Sequence, residues 1–283
     1  MSGNNGIPGF GALTEHVRRS TVQVETLEPR AGSGSGVIAG GEGVIITNAH
    51  VARHAVARVH LWDGRVVEAR VVKKHPRRDL AELRIDATMA LPTLSFGDSD
   101  ALRPGHLVVA VGNPLGFQGA ASAGVVRAVG PVEGLGSQPW VQASVRLAPG
   151  NSGGPLADAS GQLVGINTMV LGRGGLGLAI PVRAVKEFLA RPAPPRLGVA
   201  VRGVRVNAPE RRVGLMLLEV ESGAAAAQAS LQVGDILVAA GGCAFTSADQ
   251  LPEAIEQAAP SGELRLQFVR GNQTRLREVT VRL

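Results

Sequence analysis

The sequence is dominated by short runs of β-forming residues that are separated by glycine-rich turns. These runs include SGVIAG, GVIITNA, LAELRI, HLVVAVG, AGVVRAVG, QLVGINTMVL and LGLAIPV. Only 3% of the 283 residues are aromatic and none is tyrosine. Valine, leucine and isoleucine must therefore build the core, and these residues suit short strands. Many closely spaced strands predict a β-barrel or a β-sandwich for roughly residues 15 to 181.

A predicted helix and a proline-rich linker divide the chain near its last third. In RAVKEFLARPAPP, apolar residues fall at helical spacing, and three prolines then end the helix. The residues beyond it alternate between strand-like and helix-like runs, which predicts a small α+β domain. The expected division is an N-terminal arm at 1–14, a β domain at 15–190, a linker at 191–196 and a second domain at 197–283.

Two local signals refine this division. Asp63-Gly64, between the strand-like halves of LWDGRVVEAR, predicts a β-hairpin. The terminal runs GELRLQFVR and TRLREVTVRL, separated by GNQ, predict a second hairpin.

Charge and cysteine content narrow the partners and cofactors. The net charge is +6, but the arginines are scattered and almost no aromatic residues accompany them, so a nucleic-acid partner is not expected. The single cysteine, Cys243, excludes an intramolecular disulfide bond and is expected to be buried.

The N-terminus carries no recognisable targeting signal. It has neither a basic start followed by an apolar run nor a cleavage site, so the chain as written is expected to be cytoplasmic. No stretch approaches the ~20 apolar residues of a membrane-spanning helix, so no membrane segment is expected.

The stretch APGNSGGPL presents Ser152 among glycines and prolines. A serine nucleophile needs a base, and the base needs an orienting acid. His50 ends the strand-like run IITNAH, and Asp79 precedes another strand in RRDLAELRI. The chain order His50, Asp79, Ser152 is that of the chymotrypsin-like arrangement.

The glycines around Ser152 suggest further roles. Gly150 would let the backbone turn inward, so that the amides of Gly150 and Ser152 face one developing oxyanion. Gly153 and Gly154 are expected to leave space for a substrate backbone.

Simpler interpretations exist for each of these residues. Ser152 would be incidental to a turn, His50 a core histidine, and Asp79 a surface acid paired with a neighbouring arginine. A zinc site at His50, His54 and His60 is a further alternative, because the first two have i, i+4 spacing. Val51 stands where a metalloprotease helix has Glu, and no cysteine lies near, so no metal or cofactor is expected.

TNAHV, DLAELRI, PGNSGGPL, GQLVGINT and GLGLAIPV, in this order, resemble the HtrA/Deg family of trypsin-like serine proteases. The segment GLMLLEVESGAAAAQASLQVGDILVAAGG resembles the PDZ domain that such proteases carry. The resemblance implies a mainly-β fold, a chymotrypsin-like double β-barrel followed by a small α+β PDZ domain. It covers about residues 15 to 283.

The resemblance also implies roles for individual residues. His50 would be the general base, Asp79 would orient it and Ser152 would attack. The oxyanion hole would consist of Gly150, Asn151 and Ser152. Two further sets are implied: a specificity pocket for small or medium aliphatic side chains at Leu147 and Ile166, and a carboxylate-binding loop at Arg196, Leu197, Gly198 and Val199.

Some features depart from the family pattern. Where the family usually has TDAAINPGNSGG, this chain has ASVRLAPGNSGG, with Ser144 and Ala148 in place of an Asp and an Asn. The connection LEPRAGSGSG is short, so a large caged assembly is not expected. Phe10 is the one aromatic residue near the N-terminus, and a homotrimer held through it is an expectation. Relatives are mostly exported, which leaves the compartment open.

The sequence therefore predicts a serine endopeptidase that cleaves unfolded or exposed polypeptides in protein quality control. Its PDZ domain would bind peptide C-termini and regulate access. The alternative is a catalytically silent, chaperone-like module that binds peptides.

Overall fold

The computed structural model describes residues 9–26, 32–39, 43–86, 90–114, 117–171, 175–192, 195–206, 212–248, 250–271 and 275–283. The chain divides into two compact units, Met1–Ala193 and Pro194–Leu283. Most of the predicted N-terminal arm, part of the short LEPRAGSGSG connection and part of the GNQ turn lie outside the described residues. Within the described ranges, no helix is long and apolar enough to cross a membrane.

The first barrel is a closed sheet of six strands in the order β1-β2-β3-β6-β5-β4. Its strands alternate between the barrel interior and the surface; in β4, Ala57 and Val59 are buried while Arg58 is exposed. The predicted hairpin at Asp63-Gly64 is confirmed, since β4 and β5 pair on either side of it. The strands are β1 Thr21–Thr26, β2 Ser33–Ile38, β3 Val44–Thr47, β4 Val56–His60, β5 Val66–His75 and β6 Leu80–Ile85, with a 3-10 turn at Pro76–Arg78.

The second barrel is also closed, with the order β10-β11-β12-β9-β8-β7. One apolar cluster joins the barrels, because it contains Val37 and Ile46 from the first and Val109 and Ile166 from the second. The two closed barrels confirm the predicted fold class. The strands are β7 Leu107–Gly112, β8 Ala120–Pro131, β9 Pro139–Ala143, β10 Pro155–Asp158, β11 Leu163–Leu171 and β12 Leu176–Pro181.

Helix α2, Val182–Ala190, follows the second barrel as predicted and buries Val185 and Phe188. The carbonyl of Phe188 in its last turn and that of Arg191, just after it, accept hydrogen bonds from the buried ammonium of Lys73. Burial lowers the pKa of Lys73, and the nearby Glu82 carboxylate opposes this shift.

Helix α1, Phe10–Arg19, was not predicted and takes up residues that had been assigned to the N-terminal arm. Its apolar residues Leu13 and Val17 lie one turn apart and pack on the cluster that joins the barrels. On its polar face, Glu15 pairs with Arg18 and Arg19 at 2.7 and 2.9 Å. The packing of one apolar face forms this helix, although glycines occupy its start.

The second unit contains one sheet of six strands, in the order β13-β14-β15-β17-β18 with β16 paired to β15. Cys243 lies in the two-residue strand β16 and is exposed, so the prediction of a buried thiol is wrong. A strand this short, paired on one side, leaves its side chains in solvent. The elements are β13 Val199–Val206, β14 Arg212–Val220, α3 Ala225–Gln228, β15 Ile236–Ala240, β16 Cys243–Ala244, α4 Gln250–Ala258, β17 Glu263–Val269 and β18 Arg277–Arg282.

Candidate active site

His50 and Asp79 lie in contact on the first barrel. His50 Nδ1 is 2.8 Å from Asp79 Oδ2 and 3.0 Å from Oδ1, and the His50 backbone N–H donates to Oδ1 at 3.0 Å. The carboxylate therefore fixes both the ring and the backbone of the histidine. The His50 side chain is 47% exposed, so its other nitrogen is open to a substrate or to a second side chain.

Asp79 has a left-handed backbone conformation, with φ 54° and ψ 43°, at the end of the 3-10 turn. Such a conformation is costly for a residue with a Cβ and persists where the surroundings hold it. Three groups hold it here: its N–H donates to Pro76 O, its carboxylate binds His50, and its carbonyl accepts from Asn48 Nδ2 at 2.9 Å.

Asn48 is fully buried and links the two barrels behind this pair. Besides Asp79 O, its Nδ2 donates to Thr168 Oγ1 of β11 at 3.1 Å. Because a carbonyl oxygen can only accept, the amide orientation is determined by the contact with Asp79. Asn48 thus couples the backbone of the acid to the strand beside Ser152.

Ser152 lies on the second barrel, and its hydroxyl donates to the carbonyl of Thr168 at 2.8 Å. Neither Ser152 nor His50 has a hydrogen bond to the other in the part of the chain that the structure describes. Ser152, Thr168, Asn48 and Asp79 nevertheless form a continuous hydrogen-bonded series from one barrel to the other.

Some backbone amides around Ser152 are hydrogen-bonded among the described residues, and others are not. Asn151 N donates to Ala148 O, Gly153 N to Asn167 O and Gly154 N to Asn151 O, at distances of 2.8 to 3.0 Å. The amides of Gly150 and Ser152 find no acceptor among the described residues. Gly150 has φ +103°, which favours glycine and sets the turn of this loop. Two neighbouring amides are therefore available to an external oxygen.

Gly153 and Gly154 were expected to leave room for a substrate, and this expectation is wrong. A Cβ on Gly153 would lie 2.1 Å from Ser35 O and 2.2 Å from Thr47 Oγ1, and one on Gly154 would lie 2.3 Å from Val111 O. Both glycines face the protein interior, where strands approach too closely for a side chain. Their role is contact between the nucleophile loop and its supporting strands.

The two residues expected in a specificity pocket have different environments. Leu147 is partly buried against the core of the second barrel, whereas Ile166 has no exposed surface and belongs to the cluster that joins the barrels. Leu147 is the one of the pair with surface that a substrate side chain can touch. Ser144, a departure from the family pattern, accepts a hydrogen bond from Val125 N through its hydroxyl at 3.0 Å.

The histidines of the zinc alternative have separate partners. His60 Nε2 lies 3.1 Å from Glu25 Oε2, while His50 binds Asp79. Among the described residues, no group of three or more His, Cys, Asp or Glu side chains is arranged to hold a metal ion.

Near Asp79, burial lowers the pKa of Lys74, and the charge of the Asp79 carboxylate opposes this shift.

In the second unit, the predicted carboxylate-binding loop lies immediately before the edge strand β13. Leu197 O accepts from Ala226 N at 2.9 Å and Gly198 O from Glu221 N at 2.8 Å, so the loop carbonyls are occupied. The amides of Leu197 and Gly198 have no acceptor in the described ranges. Val199 begins β13, and Arg196 precedes the buried Leu197.

Three residues of the site were missed from the sequence: Ser35, Asn48 and Thr168. Asn48 and Thr168 lie inside the quoted motifs TNAHV and GQLVGINT, and Ser35 lies between two glycines, but a small polar residue in a strand-like run gives no local signal of which group it will bind. The partners that tie them to the site lie 16 to 120 residues away, so the contacts appear only in the folded chain.

The domains match known families. A family model described as a trypsin-like peptidase domain matches residues 34–166, and one described as a PDZ domain matches residues 195–281. Among solved structures, an HtrA-type protease AlgW with tripeptide is similar, with a TM-score of 0.61 and 27% identity, over 97% of this chain and 96% of that one.

Curated relatives extend the comparison to full sequences. The putative serine protease HhoB of Synechocystis is 30% identical over 89% of this chain and 67% of its own length. A probable periplasmic serine endoprotease DegP-like of Pseudomonas fulva is 33% identical over 88% and 55%, and serine protease HTRA1 of Xenopus laevis is 32% identical over 87% and 59%. The chain thus spans between about half and two thirds of the length of these relatives.

Proposed function

Because the chain belongs to the HtrA/Deg family of trypsin-like serine proteases, we propose that it is a serine endopeptidase acting through His50, Asp79 and Ser152. The observation that carries this proposal is the fixed His50–Asp79 pair together with the amides of Gly150 and Ser152, which have no acceptor among the described residues. A base, a nucleophile and an anion-binding pair are the three elements that acyl transfer requires.

In the proposed reaction, the Ser152 hydroxyl first turns from Thr168 O to His50 Nε2. His50 then accepts the hydroxyl proton as Ser152 Oγ attacks the substrate carbonyl carbon. Asp79 accepts the Nδ1–H bond and stabilises the imidazolium. The Gly150 and Ser152 amides donate to the carbonyl oxygen as it becomes negative, with Asn151 between them.

Collapse of the tetrahedral intermediate expels the amine, which takes the proton from His50, and leaves an acyl group on Ser152. Water then attacks the acyl carbon and gives a proton to His50. Collapse of this second tetrahedral intermediate breaks the bond to Ser152 Oγ, returns the proton from His50 to that oxygen and releases the carboxylic acid. The partly buried Leu147 supports a preference for aliphatic side chains at the cleaved bond. The proposed substrates are unfolded or exposed polypeptides, since an extended chain can reach both barrels.

The second unit is proposed to bind peptide C-termini and so to regulate access. The amides of Leu197 and Gly198, which have no acceptor in the part of the chain that the structure describes, would hold the terminal carboxylate, and the peptide would add a strand to the edge of β13. Arg196 and Val199 flank this contact. The domain limits at 15–190, 191–196 and 197–283 belong to the same proposal, which the two compact units support.

One observation favours the second candidate, a catalytically silent module that binds peptides: the Ser152 hydroxyl is bonded to Thr168 O instead of His50. The proposed reaction requires this hydroxyl to leave Thr168 O and bond to His50 Nε2.

The substitution Ser152→Ala tests the two candidates. It should lower turnover of an unfolded protein such as casein by on the order of 10⁶-fold, because the triad acts as one unit. A serine-directed peptidyl phosphonate should label the wild type and leave the variant unlabelled. Undiminished hydrolysis by the variant would contradict the role of Ser152. Wild-type protein that neither cleaves casein nor reacts with the phosphonate would establish the silent module.

A further inference from the structure

Ser35 joins the first barrel to the nucleophile loop of the second. It lies in β2, is fully buried, and is 115 residues away from Gly150 in the sequence. Its hydroxyl donates to Gly150 O at 2.6 Å and its backbone N–H donates to Ser152 O at 2.8 Å. One residue therefore holds both ends of the Gly150–Ser152 segment.

The same hydroxyl accepts a hydrogen bond from Asn113 N at 2.8 Å. Asn113 lies against the loop, since a Cβ on Gly150 would be 2.6 Å from Asn113 O. The hydroxyl thus donates its proton to Gly150 O and accepts from Asn113 N through a lone pair. It therefore links β2 both to the loop at Gly150 and to the segment at Asn113.

These contacts fix the peptide units next to the two amides of the proposed oxyanion hole. The Gly150 N–H belongs to the Pro149–Gly150 peptide and the Ser152 N–H to the Asn151–Ser152 peptide. The bond from the Ser35 hydroxyl to Gly150 O holds the Gly150–Asn151 peptide between these two, and the bond to Ser152 O holds the Ser152–Gly153 peptide that follows them. Glycine at φ +103° has several accessible conformations, so an external contact must select one of them. The remaining amides of the loop bond within the second barrel, and Ser35 supplies the contact from the first.

We infer that Ser35 is a positioning residue for the oxyanion hole: its hydroxyl holds the Gly150–Asn151 peptide, and thereby the relative orientation of the Gly150 and Ser152 amides on either side of it. The inference rests on the proposed function. Ser35 does not touch substrate, and its effect belongs to the transition state, where the oxygen carries negative charge.

The substitution Ser35→Ala removes the hydroxyl and keeps the backbone N–H. Loss of an entire oxyanion donor costs ~10²–10³-fold in kcat, and misalignment should cost less. We expect kcat on a chromogenic peptide to fall about 10- to 100-fold with KM within about twofold of the wild type, since this is the pattern of an interaction made in the transition state alone. The inhibition constant of a peptidyl trifluoromethyl ketone, whose adduct with Ser152 places an oxyanion in the hole, should rise by the same factor as kcat falls.

Thr21→Ala is the matched control. Thr21 is a buried residue of the same barrel whose hydroxyl also donates to a backbone carbonyl, that of Val17, at 2.8 Å. It should lose stability in urea as Ser35→Ala does, with unchanged kcat and inhibitor affinity per folded molecule. Ser35→Cys, which retains a weak donor, is the second variant if Ser35→Ala does not fold, and it should lie between alanine and the wild type.

A folded Ser35→Ala or Ser35→Cys variant with the kcat and the inhibitor affinity of the wild type would overturn this inference and leave the proposed function standing. A fall of kcat in Thr21→Ala equal to that in Ser35→Ala would also overturn it, since loss of stability would then explain the effect. Wild-type protein that cleaves no peptide and binds no trifluoromethyl ketone would overturn the proposed function, and this inference with it.

Discussion

Replacing Gly153 with alanine should damage both the stability and the activity of the first unit. Gly153 has φ +88°, and its Cβ would lie 2.1 Å from Ser35 O and 2.2 Å from Thr47 Oγ1. Thr47 Oγ1 donates a hydrogen bond to Ser35 O at 2.6 Å, so neither atom moves alone. An ordinary contact requires more than 3 Å, and the barrels must therefore separate by about 1 Å at this point.

The cost has two parts. The left-handed region costs a residue with a Cβ about 1–2 kcal/mol. Overpacking a close contact costs about 1–3 kcal/mol more. The sum, about 2–5 kcal/mol, is a large part of the ~5–15 kcal/mol that stabilises a typical protein. Because a 1 Å displacement near a reacting group can cost ~10²-fold in rate, kcat should fall by about that factor.

Gly64→Ala is the control for conformational strain. Gly64 has φ +87°, nearly that of Gly153, but no atom lies within 4 Å of its Cβ position. Urea unfolding should therefore show a loss of about 1–2 kcal/mol for this variant, with unchanged peptide hydrolysis. Equal stability and equal kcat in the two variants would refute the reasoning. A Gly153→Ala variant with the stability of Gly64→Ala and a raised KM would likewise contradict the packing argument.

Two further predictions concern the surface of each unit. Hydrogen bonds from Arg18 and Arg19 lower the pKa of Glu15 from 4.5 to about 2. The contribution of the ionised Glu15 to stability is therefore complete above pH 4.5 and is lost as the pH falls towards 2. The melting temperatures of wild type and Glu15→Gln should converge towards that pH. A difference in melting temperature that persists undiminished at pH 2 would contradict this. In the second unit, a fluorescent peptide should bind the full chain at least about tenfold more tightly with a free C-terminus than as its amide, as measured by anisotropy; equal affinities would remove the carboxylate loop from the proposal.

The homotrimer expected from the resemblance stays a prediction. Phe10 lies on α1 and is 50% exposed, so it is accessible to a second copy. Sedimentation of the protein at micromolar concentration would decide it, and a monomer would contradict the expectation.

The sequence predicted those features that depend on neighbouring residues. Strand runs, the Asp63-Gly64 hairpin and helix α2 follow from local periodicity and turn residues, and all three are observed. The His50 and Asp79 contact was also anticipated, because each residue stands at the end of a strand in a distinctive motif.

Features that depend on distant residues were not predictable. The atoms that a side chain at Gly153 would meet belong to Ser35 of β2 and to Thr47, more than 100 positions earlier. The exposure of Cys243 depends on how many strands flank β16, and that of Ile166 on which core it enters. Helix α1 did carry a signal, in the spacing of Leu13 and Val17 and of Glu15 with two arginines, but glycines at its start outweighed it.

The position of β13 at the edge of its sheet has a consequence for solubility. An open edge that accepts a peptide is equally open to the same strand of another molecule, which is a common route to aggregation. Arg202 and Arg205 are exposed along β13 and, three residues apart on a regular strand, point to opposite faces of the sheet, so two copies pairing edge to edge would bring guanidinium groups to both faces of the shared edge. A peptide without this charge meets no such repulsion. The arginines thereby let the strand remain available to ligands while it discourages association with itself.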